Sequence, residues 1–537
     1  MKKLFALLLA AIMLLSTIPF VASATGDDAA TAPIGVSGLA DFYWVKRTVT
    51  PATDTAPETV EYALTNALDI EGSYKLLNDI TFGDGTTVAL KLVEKNTETD
   101  EYEYVYTDAN KTTIATHEWT FVDLDRGMID GGFEGIFDGD GHSIIYTGTF
   151  KKESSGGFLF NGTFSGTLKN LTIGSKDQPT DVFLGKASGG SNCGVLGSQT
   201  AYADPLPSLE NVVVYADLEV QGTGARNVGF LFGKTLAGIN FNNVRCYGTL
   251  EVGQSKDNQT MGIGGMVGMH VCAAGDGGPI KFNNCYTDVD ITLPANPAVK
   301  EGTSGVGGLL GLNSCTNADT EFYATNCVTV GDLPDITNLQ IGAGGLIGAT
   351  VKNATKTAEE LTFITDCQKP VFNAVGASVK IDDATLRFRA GVAVYNAAVD
   401  IYGAENVKMG VIIADKATAE ALGENFKIGA TGVTNVEATE IENGNIYATV
   451  AVTEANYGTE YTALGYISFT TDGTNWTTDY ATATTTRSVS YVATAALADV
   501  KDAAEGAYMY ATADGKYCLY TAEQQTKLAS YVVASAS

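Results

Sequence analysis

The chain of 537 residues and 56.2 kDa is long enough for two or three domains and too long for one ordinary core. Its formal net charge of −29, from 33 Lys+Arg against 62 Asp+Glu, excludes a nucleic-acid role, which needs clustered cations. With 45% hydrophobic residues the chain folds, and its 3 His leave little room for a His-rich metal site. The 60 glycines follow no collagen-like period and point instead to turns and bulges in a β-rich protein.

Residues 1–24 read as a secretory signal peptide. Lys2 and Lys3 precede an apolar run from Leu4 to Leu15, and Ala22-Ser23-Ala24 forms the cleavage site. No later segment is apolar enough to span a membrane, so the expected location is extracellular, with non-covalent attachment to the cell surface. Residues 25–59 form a cap or linker, and residues 83–117, rich in Glu, Thr and Tyr, an inserted hairpin or loop.

Over residues 60–370 two landmarks recur in step. One is a glycine-framed apolar pair: Gly194-Val-Leu-Gly197, Gly229-Phe-Leu-Phe-Gly233, Gly264-Gly-Met-Val-Gly268, Gly307-Gly-Leu-Leu-Gly311 and Gly344-Gly-Leu-Ile-Gly348. The other is an Asn or Asp: Asn170, Asn211, Asn243, Asn284, Asn326 and Asp366. One such unit cannot bury its own apolar face, but stacked copies share a core. Three short strands per unit, with the excess length in loops, predict a parallel β-helix. A β-propeller has blades of similar length but needs four strands per unit, which are hard to find here. Asn suits a left-handed turn, and the glycines mark sharp bends or close backbone approach. A phosphate loop fails for want of the Lys-Ser/Thr and a following helix.

Eight cysteines follow the same register. Cys285, Cys327 and Cys367 each come directly after the repeated Asn or Asp, and Cys272 and Cys315 each follow a closing glycine by four residues. That spacing predicts a ladder of buried thiols along the stack in preference to disulfides or a metal cluster.

Ahead of the repeats stand Tyr74-Lys-Leu-Leu-Asn78-Asp79-Ile80 and Gly132-Phe-Glu-Gly135-Ile-Phe-Asp138-Gly-Asp140-Gly141-His142. Together with the glycine-framed pairs these residues resemble the GLUG-motif repeat proteins of bacterial surfaces. The resemblance covers roughly residues 60–370. It implies an extracellular β-helix involved in adhesion and supplies no catalytic residues.

Residues 371–537 read as a smaller β-sandwich with short helices at Ala417–Leu422 and Ala522–Val533. The series Gly376-Ala-Ser-Val-Lys380, Leu386-Arg387-Phe388, Gly410-Val-Ile-Ile413 and Arg487-Ser-Val resembles an uncharacterised module of proteins secreted by gut Gram-positive bacteria.

The expected fold is therefore all-β, a parallel β-helix solenoid followed by a β-sandwich. The function expected is non-catalytic adhesion or binding of a polysaccharide, host glycan or cell-wall polymer. Tyr202, Tyr215, Tyr247 and Tyr286 are candidates for stacking on sugars, and Arg387, Arg389 and Arg487 for binding a carboxylate or sulfate. Solvent-facing strand tyrosines and arginines paired with local acids are the plainer readings. A β-helix polysaccharide lyase or glycoside hydrolase is the alternative, with Asp138, Asp140 and His142 as its catalytic residues. A structural spacer is a second alternative. No cofactor or metal site is expected. Calcium suits the many loop Asp and Asn residues, but no D-x-D-x-D-G loop with a distal Glu appears.

Overall fold

The computed structural model describes the chain from residue 32, except 54–55, 97–100, 130, 155, 186–190, 222–224, 237, 254–261, 272–277, 294–303, 315–320, 335–341, 352–355, 366, 368–376, 381–384, 439–440, 442–444, 452–455, 457, 489–506, 512–516 and 521–537. The expected signal segment and the expected helix at Ala522–Val533 lie outside the described residues.

From Ile34 to Thr365 the chain winds as a parallel β-solenoid. A representative coil runs through Ile239–Asn242, Arg245–Val252, Gly262–Gly264 and Val267–His270. The next coil repeats these as Ile280–Asn283, Tyr286–Thr292, Gly305–Gly307 and Leu310–Asn313, each strand parallel to its predecessor. Parallel pairing between successive units excludes the propeller, whose blades are antiparallel sheets closed within each unit. Each full coil holds four strands, not three, because the glycine-rich strands carry no side-chain alternation by which to recognise them. The first rung is Ile34–Val36 on Tyr74–Leu76, so the solenoid starts before residue 60.

The corner between the first two strands explains the repeated asparagine. Asn170, Asn211, Asn243, Asn284 and Asn326 all have φ between 51° and 54°. Asparagine tolerates this left-handed backbone better than other side-chain-bearing residues. Three of these side chains also bond along the stack. Asn243 Nδ2 donates to Asn211 Oδ1 at 2.8 Å, Asn211 Nδ2 to Asn170 Oδ1 at 3.1 Å, and Asn170 Nδ2 to Asp138 Oδ1 at 3.0 Å.

Inside, equivalent residues stack in columns. Phe137, Leu168, Leu209, Phe241 and Phe282 share one column, and the rings of Phe241 and Phe282 lie 4.7 Å apart at 6°. Each such buried side chain contributes roughly 1.5–3 kcal/mol relative to exposure. Cys193, Cys246, Cys285 and Cys327 are buried free thiols, and the Cys327 N–H donates to Cys367 Sγ at 3.3 Å. Cys285, Cys327 and Cys367, each directly after the corner residue, are the expected ladder, whereas Cys193 is in register with Val228 and Cys246 with Val214 and Thr287; Cys272, Cys315 and the Cys518 side chain lie outside the described residues.

The glycine-framed pair is a tight arch between two strands. Its apolar tips, among them Leu231, Met266 and Leu309, are fully buried. The arms approach so closely that a Cβ on Gly311 would lie 2.3 Å from the Ile263 nitrogen. At the arch of the representative coil the amides are satisfied by the next coil: Gly265 N donates to Gly307 O and Met266 N to Leu309 O, both at 3.0 Å.

Two antiparallel additions flank the solenoid. The expected linker strand Tyr43–Thr50 and the insert strands Thr87–Lys95, Tyr102–Tyr104 and Thr116–Thr120 join in one sheet with Thr59–Asn66, which therefore belongs to this sheet and not to the repeat region expected from residue 60. The C-terminal region forms antiparallel sheets around Thr385–Gly391 and Val407–Asp415 with two short helices, Ala393–Tyr402 and Lys416–Leu422. Asp415 caps the second helix by accepting from Thr418 N at 2.9 Å.

Candidate functional site

The polar cluster at Asp138 builds a corner. Asp138 accepts from Asn170 and from the Asp140 N–H at 2.9 Å, and Lys169 Nζ lies 3.3 Å away. Burial works to raise its pKa, but these hydrogen bonds and the ammonium together hold the carboxyl below the usual range. Asp140, with φ 51°, pairs with Lys75 at 2.8 Å, while His142 Nδ1 sits 3.3 Å from Asp79. All three side chains are engaged in holding the turn and the neighbouring rung.

The tyrosines divide. Tyr202 is 53% exposed and stands apart from the stacked tyrosines, whereas Tyr247 and Tyr286 are buried. Tyr215 and Tyr247 stack at 4.8 Å and 15°, and Tyr286 follows at 5.9 Å. The helix Ala393–Tyr402 covers this ladder, placing Ala397 and Val394 on Val213, Tyr247, Tyr286 and Val328. Asp400 is bound by the Arg245 guanidinium through Nε and through Nη2 at 3.1 Å, and by the Tyr247 hydroxyl at 2.9 Å. Asn396 Nδ2 donates to Asn243 Oδ1 at 2.7 Å. Burial pushes the Tyr215 phenol up to about 12, with Asp400 adding to the effect. This ladder is thus an internal seam and not the open sugar platform expected of Tyr215, Tyr247 and Tyr286. The sequence reading missed the cover because it placed no helix at 393–402.

The arginines do not form one site. Arg387 lies over the Tyr447 ring at 4.2 Å, and Arg487 donates to Thr486 O at 2.7 Å in a different sheet. The Arg389 side chain lies outside the described residues.

An open aromatic feature lies instead on the outer face of the asparagine-bearing sheet. Register places Asn240, Lys281, Tyr323 and Phe363 in one outward column. Asn242, Asn283 and Thr325 form the column beside it. The rings of Tyr323 and Phe363 stack at 4.7 Å and 12°, and Phe363 is 40% exposed. Lys281 Nζ lies 5.9 Å from the Tyr323 centroid. The Tyr323 hydroxyl donates to Glu321 Oε2 at 2.6 Å, and Lys356 Nζ holds Glu321 Oε1 at 3.0 Å. These two bonds keep the Glu321 carboxyl below its usual range. Aligning the copies on their asparagine would have found this column, since Asn240, Lys281, Tyr323 and Phe363 each stand three residues before the corner residue.

Among the described residues no group of three or more His, Cys, Asp or Glu gathers as a metal site, and no helix is long and apolar enough to cross a membrane. No family model, curated protein or solved structure matches the chain.

Proposed function

We propose that this is a secreted, surface-associated protein that binds an elongated glycan on the outer face of its asparagine-bearing sheet, without catalysis. The stacked Tyr323–Phe363 pair carries the reading, because it offers an open aromatic face continuous with amides spaced one rung apart. Strand spacing of about 4.8 Å repeats these groups along the solenoid, which suits a polymer more than a compact ligand. The likeness to GLUG-motif surface proteins points the same way. Mucin glycans and Gram-positive wall polymers are the ligand classes to test.

Affinity electrophoresis of residues 25–537 through these polymers should show retardation. Phe363→Ala or Tyr323→Ala should weaken it about tenfold, or ~1.4 kcal/mol. Retardation unchanged in both variants would remove the site from this face. New reducing ends or unsaturated products released from any of the polymers would overturn the non-catalytic reading.

A further inference from the structure

The N-terminal sheet sorts its charged side chains between two faces. Lys46 is in register with Val93, Val93 with Tyr104, and Lys95 with Tyr102. Paired residues share a face and alternate residues return to it, so Trp44, Lys46, Lys91, Tyr102 and Tyr104 stand together. Arg47, Glu94 and Glu103 are in register on the opposite face, where Arg47 and Glu94 form an ion pair.

On the first face cations meet rings. Lys46 Nζ lies 5.2 Å from the Tyr102 centroid, and Lys91 Nζ 5.8 Å from that of Tyr104. Trp44 packs edge-on to Tyr104 at 5.2 Å, and Tyr102 is 42% exposed. Several other lysines pair with carboxylates, Lys75 with Asp140, Lys151 with Asp123, Lys356 with Glu321 and Lys416 with Glu460, while Lys111 and Lys281 each lie over a single tyrosine ring. Among the described residues Lys46 and Lys91 form no ion pair. Glu61 and Glu118 share this face by register, yet among the described residues neither pairs with Lys46 or Lys91, so two ammonium groups stand outside ion pairs on an aromatic surface.

We infer that this face, formed by Trp44, Lys46, Lys91, Tyr102 and Tyr104, is a second binding site, for an acidic polysaccharide bearing uronate or sulfate groups. The rings provide apolar faces for sugar rings, and the lysines meet the anionic substituents. The net charge of −29 repels such a polymer from most of the surface, which confines contact to this patch and makes binding salt-sensitive. Two lysines with no arginine fork are too few for a phosphate backbone, so an acidic sugar fits better than a nucleic acid. The site does not depend on the Tyr323–Phe363 column.

Affinity electrophoresis of residues 25–537 through polygalacturonate and through chondroitin sulfate, with neutral dextran as control, tests it. Retardation is expected in at least one acidic polymer and not in dextran, with a loss of at least fivefold between 50 and 300 mM salt, roughly the range over which the screening length halves. The double variant Lys46→Gln/Lys91→Gln should weaken binding about tenfold, and Tyr102→Ala, at an exposed position, about threefold. Phe363→Ala should leave it unchanged, which separates this site from the one proposed above. Absence of retardation in both acidic polymers, equal retardation in dextran, unchanged binding by the lysine variant, or equal binding of a single-stranded oligonucleotide would each overturn the inference.

Discussion

Two aromatic ladders grow from the same solenoid by the same register rule and end in opposite environments. Tyr215 and Tyr247 stack at 4.8 Å and 15°, and Tyr323 and Phe363 at 4.7 Å and 12°. The first pair has outward-facing Val213 and Val328 on nearby rungs, an apolar patch that a helix covers. The second has Lys281 over its ring and Glu321 and Lys356 alongside, and Phe363 stays exposed. Stacking follows from the repeat, whereas burial follows from neighbouring side chains and from an element more than a hundred residues away in sequence.

The sharpest way to break this contrast is to release the cover. Asp400→Ala leaves the buried Arg245 guanidinium without its carboxylate and should destabilise docking by about 3–5 kcal/mol. Nitration mapped by mass spectrometry should then reach Tyr215, Tyr247 and Tyr286, which the native protein protects. Equal labelling before and after would mean that the helix does not seal the ladder.

A second comparison truncates one ring in each ladder. Tyr247→Ala removes a buried ring and should lower unfolding stability by about 3 kcal/mol, whereas Phe363→Ala should lower it by less than about 1 kcal/mol. Urea denaturation of both variants decides it, and similar losses would erase the distinction between seam and site.

The smallest effect concerns the corner that both ladders' rungs share. The Asp138 pKa is depressed in the folded state, so its contribution is present above the unfolded value near 4 and is lost as pH falls through the lower folded value. Asp138→Asn should therefore lower stability by about 1 kcal/mol at pH 7, and by progressively less as the pH falls below the unfolded value. A pH-independent difference in the denaturation midpoint would assign Asp138 a purely steric role.

Much of the solenoid is legible in the sequence because its devices are local. Asn at the corner and glycine at the arch each answer a backbone requirement that one residue type meets best, and their spacing exposes the coil. The fourth strand is hidden for the same reason, since glycine carries no side chain from which to read a face. The site is less legible. Choosing tyrosines near strands cannot separate Tyr247 from Tyr323, because the distinction lies in the helix Ala393–Tyr402. The face shared by Trp44, Lys46 and Tyr104 is hidden too, since it depends on Tyr43–Thr50 pairing in parallel with Thr87–Lys95, a strand distant in sequence, while its hairpin partner Thr59–Asn66 takes its other edge.

The asparagine row has a polarity. Between Asn243 and Asp138 each amide donates toward the N-terminal end, through Asn211 and Asn170. At the opposite end of this run the Asn243 oxygen accepts from Arg245 Nη1 at 2.9 Å and from Asn396 Nδ2 at 2.7 Å. The aligned amide dipoles therefore run between a carboxylate at their positive end and a guanidinium at their negative end, as matched charges flank a helix. Removing one whole repeat between Asp138 and Arg245 would shorten this line and keep both terminal charges correctly placed. Turning over a single amide would set like poles against each other on both sides. The row thus gives the solenoid a direction that tolerates changes in its length.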